Sequence, residues 1–340
     1  MPANRLFKYL VLLLILVFLF GLNLSLGQVS IPIKKIALLF FGESTGKESW
    51  DYIIYNFRLP KAIVAILVGL GLSVSGLLMQ TLFRNPLAGP YVMGLSSGSS
   101  LGVAFVILGS NFLPSFVLPY VSSSLGIVIA SCLGSFLVLL LVLLVSKKLK
   151  DTNAILIVGL MFSSFTSAIV STLTYFSTAE KLQKFTFWSM GSLGNLTWPN
   201  ILILTFVVTV GLALSFYSLK ALDGLLLGEN YAKSMGINIA KYRRIILIAT
   251  SILAGSITAF VGPIAFIGLA VPHLAKIFLQ TSNHKVLFVS TLFIGAAIML
   301  LCDVISQMPG ANFTLPINAV TSLFGAPIVI WLLAFQKKIR

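Results

Sequence analysis

Apolar runs long enough to cross a bilayer recur along this whole chain, and no other feature restricts its fold so severely. A helix needs about 20 apolar residues to span roughly 30 Å of hydrocarbon. Residues 6–26, 62–82, 125–145, 155–176, 201–219, 245–261, 287–301 and 320–335 approach or meet that requirement. Two weaker stretches, 91–109 and 265–279, are rich in Gly, Ser and Pro and bring the count to ten. Small residues are tolerated in membrane helices that other helices surround, because they permit close backbone approach. Both stretches therefore read as interior spans. The expectation is an all-α polytopic membrane protein of about ten transmembrane helices, with residues 1–340 forming one transmembrane domain. Only 9% of the residues are charged, against roughly 25% in a soluble domain. That excludes a soluble enzyme and a nucleic-acid-binding protein.

Charge placement orients the spans. With ten crossings, one side receives 16 of the 23 bases and three of the eight acids, Asp151, Asp223 and Glu229. The other side receives the remaining seven bases, among them Lys34, Lys35, Arg58 and Lys61, and the acids Glu43, Glu48, Asp51, Glu180 and Asp303. Loops kept in the cytoplasm carry the Lys/Arg excess, so the 16-base side is cytoplasmic and both termini lie there. The net charge of +15 thus records orientation in a cell membrane and requires no anionic substrate. The first run follows Arg5 and Lys8 as a signal peptide would. Its full span length and the lack of a clear small-residue cleavage pattern near Leu26 favour an uncleaved span.

Most motifs that suggest chemistry dissolve on inspection. Cys132 and Cys302 fall in apolar spans, and with His273 and His284 as the only histidines no metal-ligand spacing exists. The run 42–47 has three residues between its glycines, where a phosphate loop has four. Gly94-Leu95-Ser96-Ser97-Gly98 matches the nucleophile-elbow pattern, which needs a strand–turn–helix setting. An intramembrane hydrolase using Ser96 or Ser97 with His273 is one alternative. The bland reading is that Gly94, Gly98 and Gly102, four residues apart, give a smooth face for helix packing. The ionisable residues within spans are Asp303, near the outer end of the ninth, and His273, near the Pro272 break in the eighth; Asp303 reads as a helix-end residue near the interface. An ion-coupled secondary transporter, the other alternative, would need further titratable partners along its path.

The segments between spans are more informative. Within the cytoplasmic loop 220–244, residues 226–237 read as a short amphipathic helix. Leu227, Tyr231 and Met235 share its face, and Gly236 stops it. The run 83–90 holds Pro86, Gly89 and Pro90 and reads as a rigid turn at the cytoplasmic mouth, suited to a gate.

Several ordered blocks resemble the iron-siderophore and vitamin B12 permeases of ABC importers, the FecCD type. They are Arg58-Leu59-Pro60-Lys61, Ser75-Gly76, Gln80, the run 84–90 through Gly94, then Leu227-Gly228-Glu229, Ala232 and Met235-Gly236, the run 262–273, and Asp303, Pro316, Thr321 and Gly325-Ala326-Pro327. The resemblance implies a transport subunit with no catalytic residue and no cofactor. Its implied partners are a second permease copy or paralogue, a cytoplasmic ATPase dimer and an external substrate-binding protein. Leu227, Gly228, Glu229, Ala232, Met235 and Gly236 would form the helix that seats in the ATPase. Asn85, Pro86 and Leu87 would narrow the cytoplasmic end of the path, with Thr152 and Asn153 a second constriction. Arg58 and Lys61 would pair with carboxylates of the binding protein. Gln307, Thr314 and Asn318 depart from the vitamin B12 pattern, and Pro309-Gly310 suggests a different turn there. An iron-siderophore is the expected cargo, with haem or vitamin B12 as alternatives.

Overall fold

The computed structural model describes residues 3–112, 114, 120, 123–146, 152–308 and 313–335. The Pro309-Gly310 turn lies outside them. All regular elements among the described residues are helical. In chain order they are α1 (Ala3–Ser25), α2 (Ile33–Phe40), α3 (Glu48–Ile53), α4 (Leu59–Leu82), α5 (Leu95–Ile107), α6 (Ser124–Ser146), α7 (Thr152–Tyr175), α8 (Ala179–Ser189), α9 (Trp198–Leu226), α10 (Glu229–Ser234), α11 (Ile239–Val261), α12 (Ile267–Leu279), α13 (His284–Ser306) and α14 (Ile317–Phe335). Seven segments are long and apolar enough to span a membrane, and α5, α12 and α14 supply three shorter apolar helices. They stand where the ten expected spans lie. The amphipathic helices α2, α3 and α8 on the outer side were not foreseen.

Helix α4 is the axis of the bundle. It is buried on nearly every face, and it packs against α13, α9, α11 and α12. Apolar side chains gain little by leaving lipid, so packing at this depth depends on close van der Waals approach. A Cβ on Gly76 would overlap the Gly268 carbonyl of α12, and one on Gly69 would overlap the Gly295 carbonyl of α13. The pair α5 and α6 is built likewise. A Cβ on Gly98 would stand 2.6 Å from the Gly134 carbonyl, and one on Gly102 would overlap that of Ala130. Gly98 and Gly102 therefore form a packing face, as their spacing suggested, whereas Gly94, at φ 77°, precedes the helix and adjoins Gly159 of α7.

Many hydroxyl groups inside the spans are satisfied within their own helix. Thr81, Ser215, Thr258 and Thr291 each donate to the carbonyl four residues earlier, which a lipid setting demands. Between α11 and α12 the chain is non-helical, with Gly262 and Phe266 at positive φ. Its amides find partners in protein: Asn318 Oδ1 accepts from Ala265 N–H at 3.0 Å, and Val261 O accepts from Ser192 N–H at 2.8 Å. Asn318, expected as a departure from the vitamin B12 pattern, thus serves the backbone. A π-helical turn over Ile54–Arg58 joins α3 to α4, next to Pro60, which withholds an amide from the helix ladder.

Helix α1 is tied to the bundle at both ends. Lys8 Nζ donates to Phe278 O at 2.8 Å, and Asn23 Nδ2 donates to Asp303 Oδ2 at 2.7 Å. Both pairs join ends that charge placement puts on one side, cytoplasmic for Lys8 and external for Asn23. The loop 42–47 is folded onto Asp51, whose Oδ1 accepts from Thr45 N–H at 3.1 Å. Its turn amide is engaged by a carboxylate, so it forms no phosphate cradle.

Candidate functional site: the cytoplasmic mouth and its outer counterpart

At the cytoplasmic end of α4 the chain turns sharply. Arg84 has φ 45°, Asn85 N–H donates to Gln80 O at 3.1 Å, and Asn85 Oδ1 accepts from Leu87 N–H at 2.9 Å. An asparagine bonding its own backbone two residues on is a compact turn that needs no outside support. Here two further clamps fix it to α12. His273 Nε2–H donates to Pro86 O at 2.9 Å, and Gln80 Nε2 donates to Leu269 O at 3.0 Å. His273 is thereby committed to holding the turn, which removes it as a base for Ser96 or Ser97. Leu87, 44% exposed, is presented at the mouth. Asn85, Pro86 and Leu87 thus form one rigid unit, as the sequence implied. Thr152 opens α7 and Asn153 follows it, but their side chains lie outside the described ones.

The expected amphipathic helix is present and shorter than the segment 226–237, with α10 running only Glu229–Ser234. Gly228 at φ 119° and Gly236 at φ 76° bound it, conformations that cost other residues energy. Ala232 is its only buried residue. Leu227, Tyr231 and Met235, exposed by 64%, 53% and 57%, all face outward. Glu229 Oε1 accepts from Arg243 Nη2 at 2.8 Å, pinning the helix to α11. The glutamate expected to work on a partner thus has an internal role. The Gly228 Cβ direction leads to Arg84 Nη2 at 3.8 Å, so the exposed helix and the mouth turn are neighbours.

The outer end corrects three expectations. Arg58 is 7% exposed and turns inward. Its Nη1 donates to Leu24 O at 2.6 Å and Ser25 O at 2.9 Å, and its Nη2 donates to Val29 O. The carbonyls ending α1 draw it, because an unpaired buried carbonyl is costly and a helix C-terminus attracts positive charge. Lys61 Nζ lies 2.9 Å from Asp303 Oδ1. Neither base projects as a free docking charge in this structure. Asp303, read as a residue near the interface, is 0% exposed and also accepts from Asn23 and, at 2.8 Å, from Gln307 Nε2. Gln307 therefore belongs to the Asp303 cluster, and Thr314 is exposed. No pattern in the sequence shows that Asn23 completes this cluster, or that Asp223 and His284 meet at the opposite end; the scarcity of acids and histidines in the chain was the one signal that these residues have partners.

Near the same outer end, a cavity of about 530 Å³ opens between the ends of α5, α6, α8, α9 and α11. Lys181, Lys184, Trp188, Asn195 and Asn200 are among the residues lining it. Among the described residues no cluster of His, Cys, Asp or Glu could hold a metal ion, and both cysteines are free thiols.

A bundle of ten apolar helices, with a pinned turn and an exposed short helix at one end, defines a multi-pass membrane protein. The chain belongs to the FecCD transport family, whose family model matches residues 13–335. It is 32% identical over 330 residues to the hemin transport system permease protein HmuU of Yersinia pestis, covering 97% of this chain and 96% of that one. It is 32% identical over 289 residues to the vitamin B12 import system permease protein BtuC of Citrobacter koseri, covering 85% and 84%. Among solved structures, an inward-facing metal-chelate-type ABC transporter matches with a TM-score of 0.84 and 29% identity, over 99% of this chain and 100% of that one.

Proposed function

We propose that this chain is the permease subunit of an ATP-driven importer in the cytoplasmic membrane, carrying a bulky metal chelate and most specifically an iron-siderophore. Haem and vitamin B12 are the other cargoes to test, since named relatives transport them. The whole chain serves as one permease domain, with the loop 220–244 as its coupling element. A second permease copy or a paralogue completes the pathway, two cytoplasmic ATPases hydrolyse the ATP, and an external binding protein delivers the chelate.

One observation carries this reading. A short helix and the residues that flank it offer three exposed apolar side chains, Tyr231 on α10 with Leu227 before it and Met235 capping it, on a face that charge placement puts in the cytoplasm, beside the turn that lines the mouth. Apolar residues clustered on a polar face are a docking signature, and a helix presenting them fits a groove on a partner. The ATPase partner supplies that groove. Its closure on ATP moves α10, and the mouth at Asn85, Pro86 and Leu87 opens or shuts, with Thr152 and Asn153 as a second constriction. A switch of this kind needs an element whose two positions the nucleotide state biases. On the outer side, Arg58 and Lys61 act by positioning: they hold the 24–29 loop and the end of α13 that form the rim for the binding protein.

Tyr231→Glu with Met235→Glu places two charges in the groove contact and leaves the membrane spans intact. Co-purification with the ATPase should be lost while permease yield is kept. A stable complex formed by the double variant would contradict the assignment of α10.

A further inference from the structure

Three residues at the cytoplasmic end join the elements that carry α10 and the mouth turn, and they belong to neither. Asp223 lies in the last turn of α9, just before Leu227. His284 opens α13 and is 1% exposed. Thr81 lies in the last turn of α4, just before the turn at Arg84, and is 2% exposed. Asp223 Oδ1 accepts from His284 N–H at 3.0 Å and from the ring Nδ1 at 2.7 Å. The other ring nitrogen, Nε2, stands 2.9 Å from Thr81 Oγ1. Thr81 directs its single hydroxyl proton to Leu77 O at 2.9 Å, so its oxygen faces the ring as an acceptor. That arrangement needs Nε2–H as well as the Nδ1–H given to Asp223, so the ring is an imidazolium; in the neutral ring Nε2 is an acceptor and the Thr81 hydroxyl turns to donate to it, with no heavy atom moving. Both proton arrangements therefore keep the three residues joined.

We propose that the Asp223–His284–Thr81 chain transmits movement of α10 to the mouth turn, with His284 as the positioning residue. The inference rests on the importer reading. Asp223 is continuous in sequence with the docking helix through residues 224–228, and Thr81 is continuous with Asn85 through residues 82–84. A buried ring nitrogen stripped of its partner is costly, so a displacement of the α9 end draws the ends of α13 and α4 with it. Without the chain, α10 still seats in the ATPase but the mouth no longer follows.

The test uses the permease–ATPase complex in nanodiscs, with Cys132→Ala and Cys302→Ala and a single reporter, Leu87→Cys. Two quantities are read with and without ATP: the rate of maleimide labelling at the reporter, and ATP hydrolysis. In the parent complex ATP changes the labelling rate. Thr81→Val, close to isosteric, should shrink that change about ten-fold, the effect of about 1.4 kcal/mol, with hydrolysis kept within about two-fold. Asp223→Asn at a half-exposed position should act in the same direction, and Thr81→Ser, which keeps the hydroxyl, should restore the response. A full ATP response in Thr81→Val, or equal loss in Thr81→Ser, overturns the linkage. A parent complex that shows no ATP response refutes the importer reading instead, and the linkage with it.

Discussion

Lys61 offers the sharpest choice between two accounts of the outer face. If it were a surface base awaiting a partner protein, its removal would cost the isolated permease almost nothing, since exposed ion pairs contribute only ~0–1 kcal/mol. The structure instead places its Nζ 2.9 Å from the carboxylate of Asp303, which is 0% exposed. Lys61→Met leaves that carboxylate with only the amides of Asn23 and Gln307. Breaking a buried pair by removing one member costs about 3–5 kcal/mol, most of it the stranded charge. At about 2 °C per kcal/mol for a chain of this size, the purified permease should lose roughly 6–10 °C in apparent Tm by a fluorescence-detected thermal assay. The double variant Lys61→Met, Asp303→Leu removes both charges and should regain most of that loss, a non-additivity that reports direct coupling. A Tm unchanged within about 1 °C in Lys61→Met, or a double variant no better than the single, would refute the internal pair and return Lys61 to the surface.

Other outcomes follow from the same geometry. Arg58→Met removes the charged donor from Leu24 O and Ser25 O at the end of α1 and from Val29 O in the loop that follows, so amide hydrogen exchange over residues 24–31 should accelerate by about ten-fold or more, charged hydrogen bonds being worth ~1.5–3 kcal/mol. Gly76→Ala puts a methyl into the Gly268 carbonyl; overpacking costs about 1–3 kcal/mol, and monodisperse yield by size exclusion should fall, whereas Gly109→Ala, whose Cβ would meet only ordinary contacts at 3.8 Å and beyond, should leave that yield unchanged. Lys184→Ala breaks an ion pair exposed on both sides, Glu180–Lys184, and should leave Tm unmoved. Asn85→Ala loses the acceptor for Leu87 N–H, and cysteine labelling at position 87 should become faster in the resting permease.

The ten spans were legible because a membrane imposes one length and one backbone solution, and the chain has no other way to place that much apolar sequence. The Gly98, Gly102 face and the turn at 83–90 were legible for similar local reasons: spacing and proline restrict what neighbours can do. The exposure of Leu227, Tyr231 and Met235 was anticipated, but the shared helical face was not: Gly228 at φ 119° breaks the helix between Leu227 and Tyr231, and Met235 caps its end. What the sequence concealed were side-chain choices settled by distant partners. Arg58 was assigned to the surface by its side of the membrane, yet the carbonyls ending α1 claim it from more than thirty residues away. Asp303 and His284 are invisible as pairs because Asn23, Lys61, Asp223 and Thr81 come from other helices, and periodicity carries no information on which helices meet.

The account's central claim is ATP-driven passage of a chelate through this permease, and reconstituted uptake tests it most directly. Proteoliposomes holding the permease, its ATPase and its binding protein would be offered an iron-55 hydroxamate chelate, haem or cobalt-labelled vitamin B12. The account predicts accumulation of one of these that requires ATP and the ATPase and survives a protonophore. Uptake that persists without the ATPase and collapses with the proton gradient would contradict it.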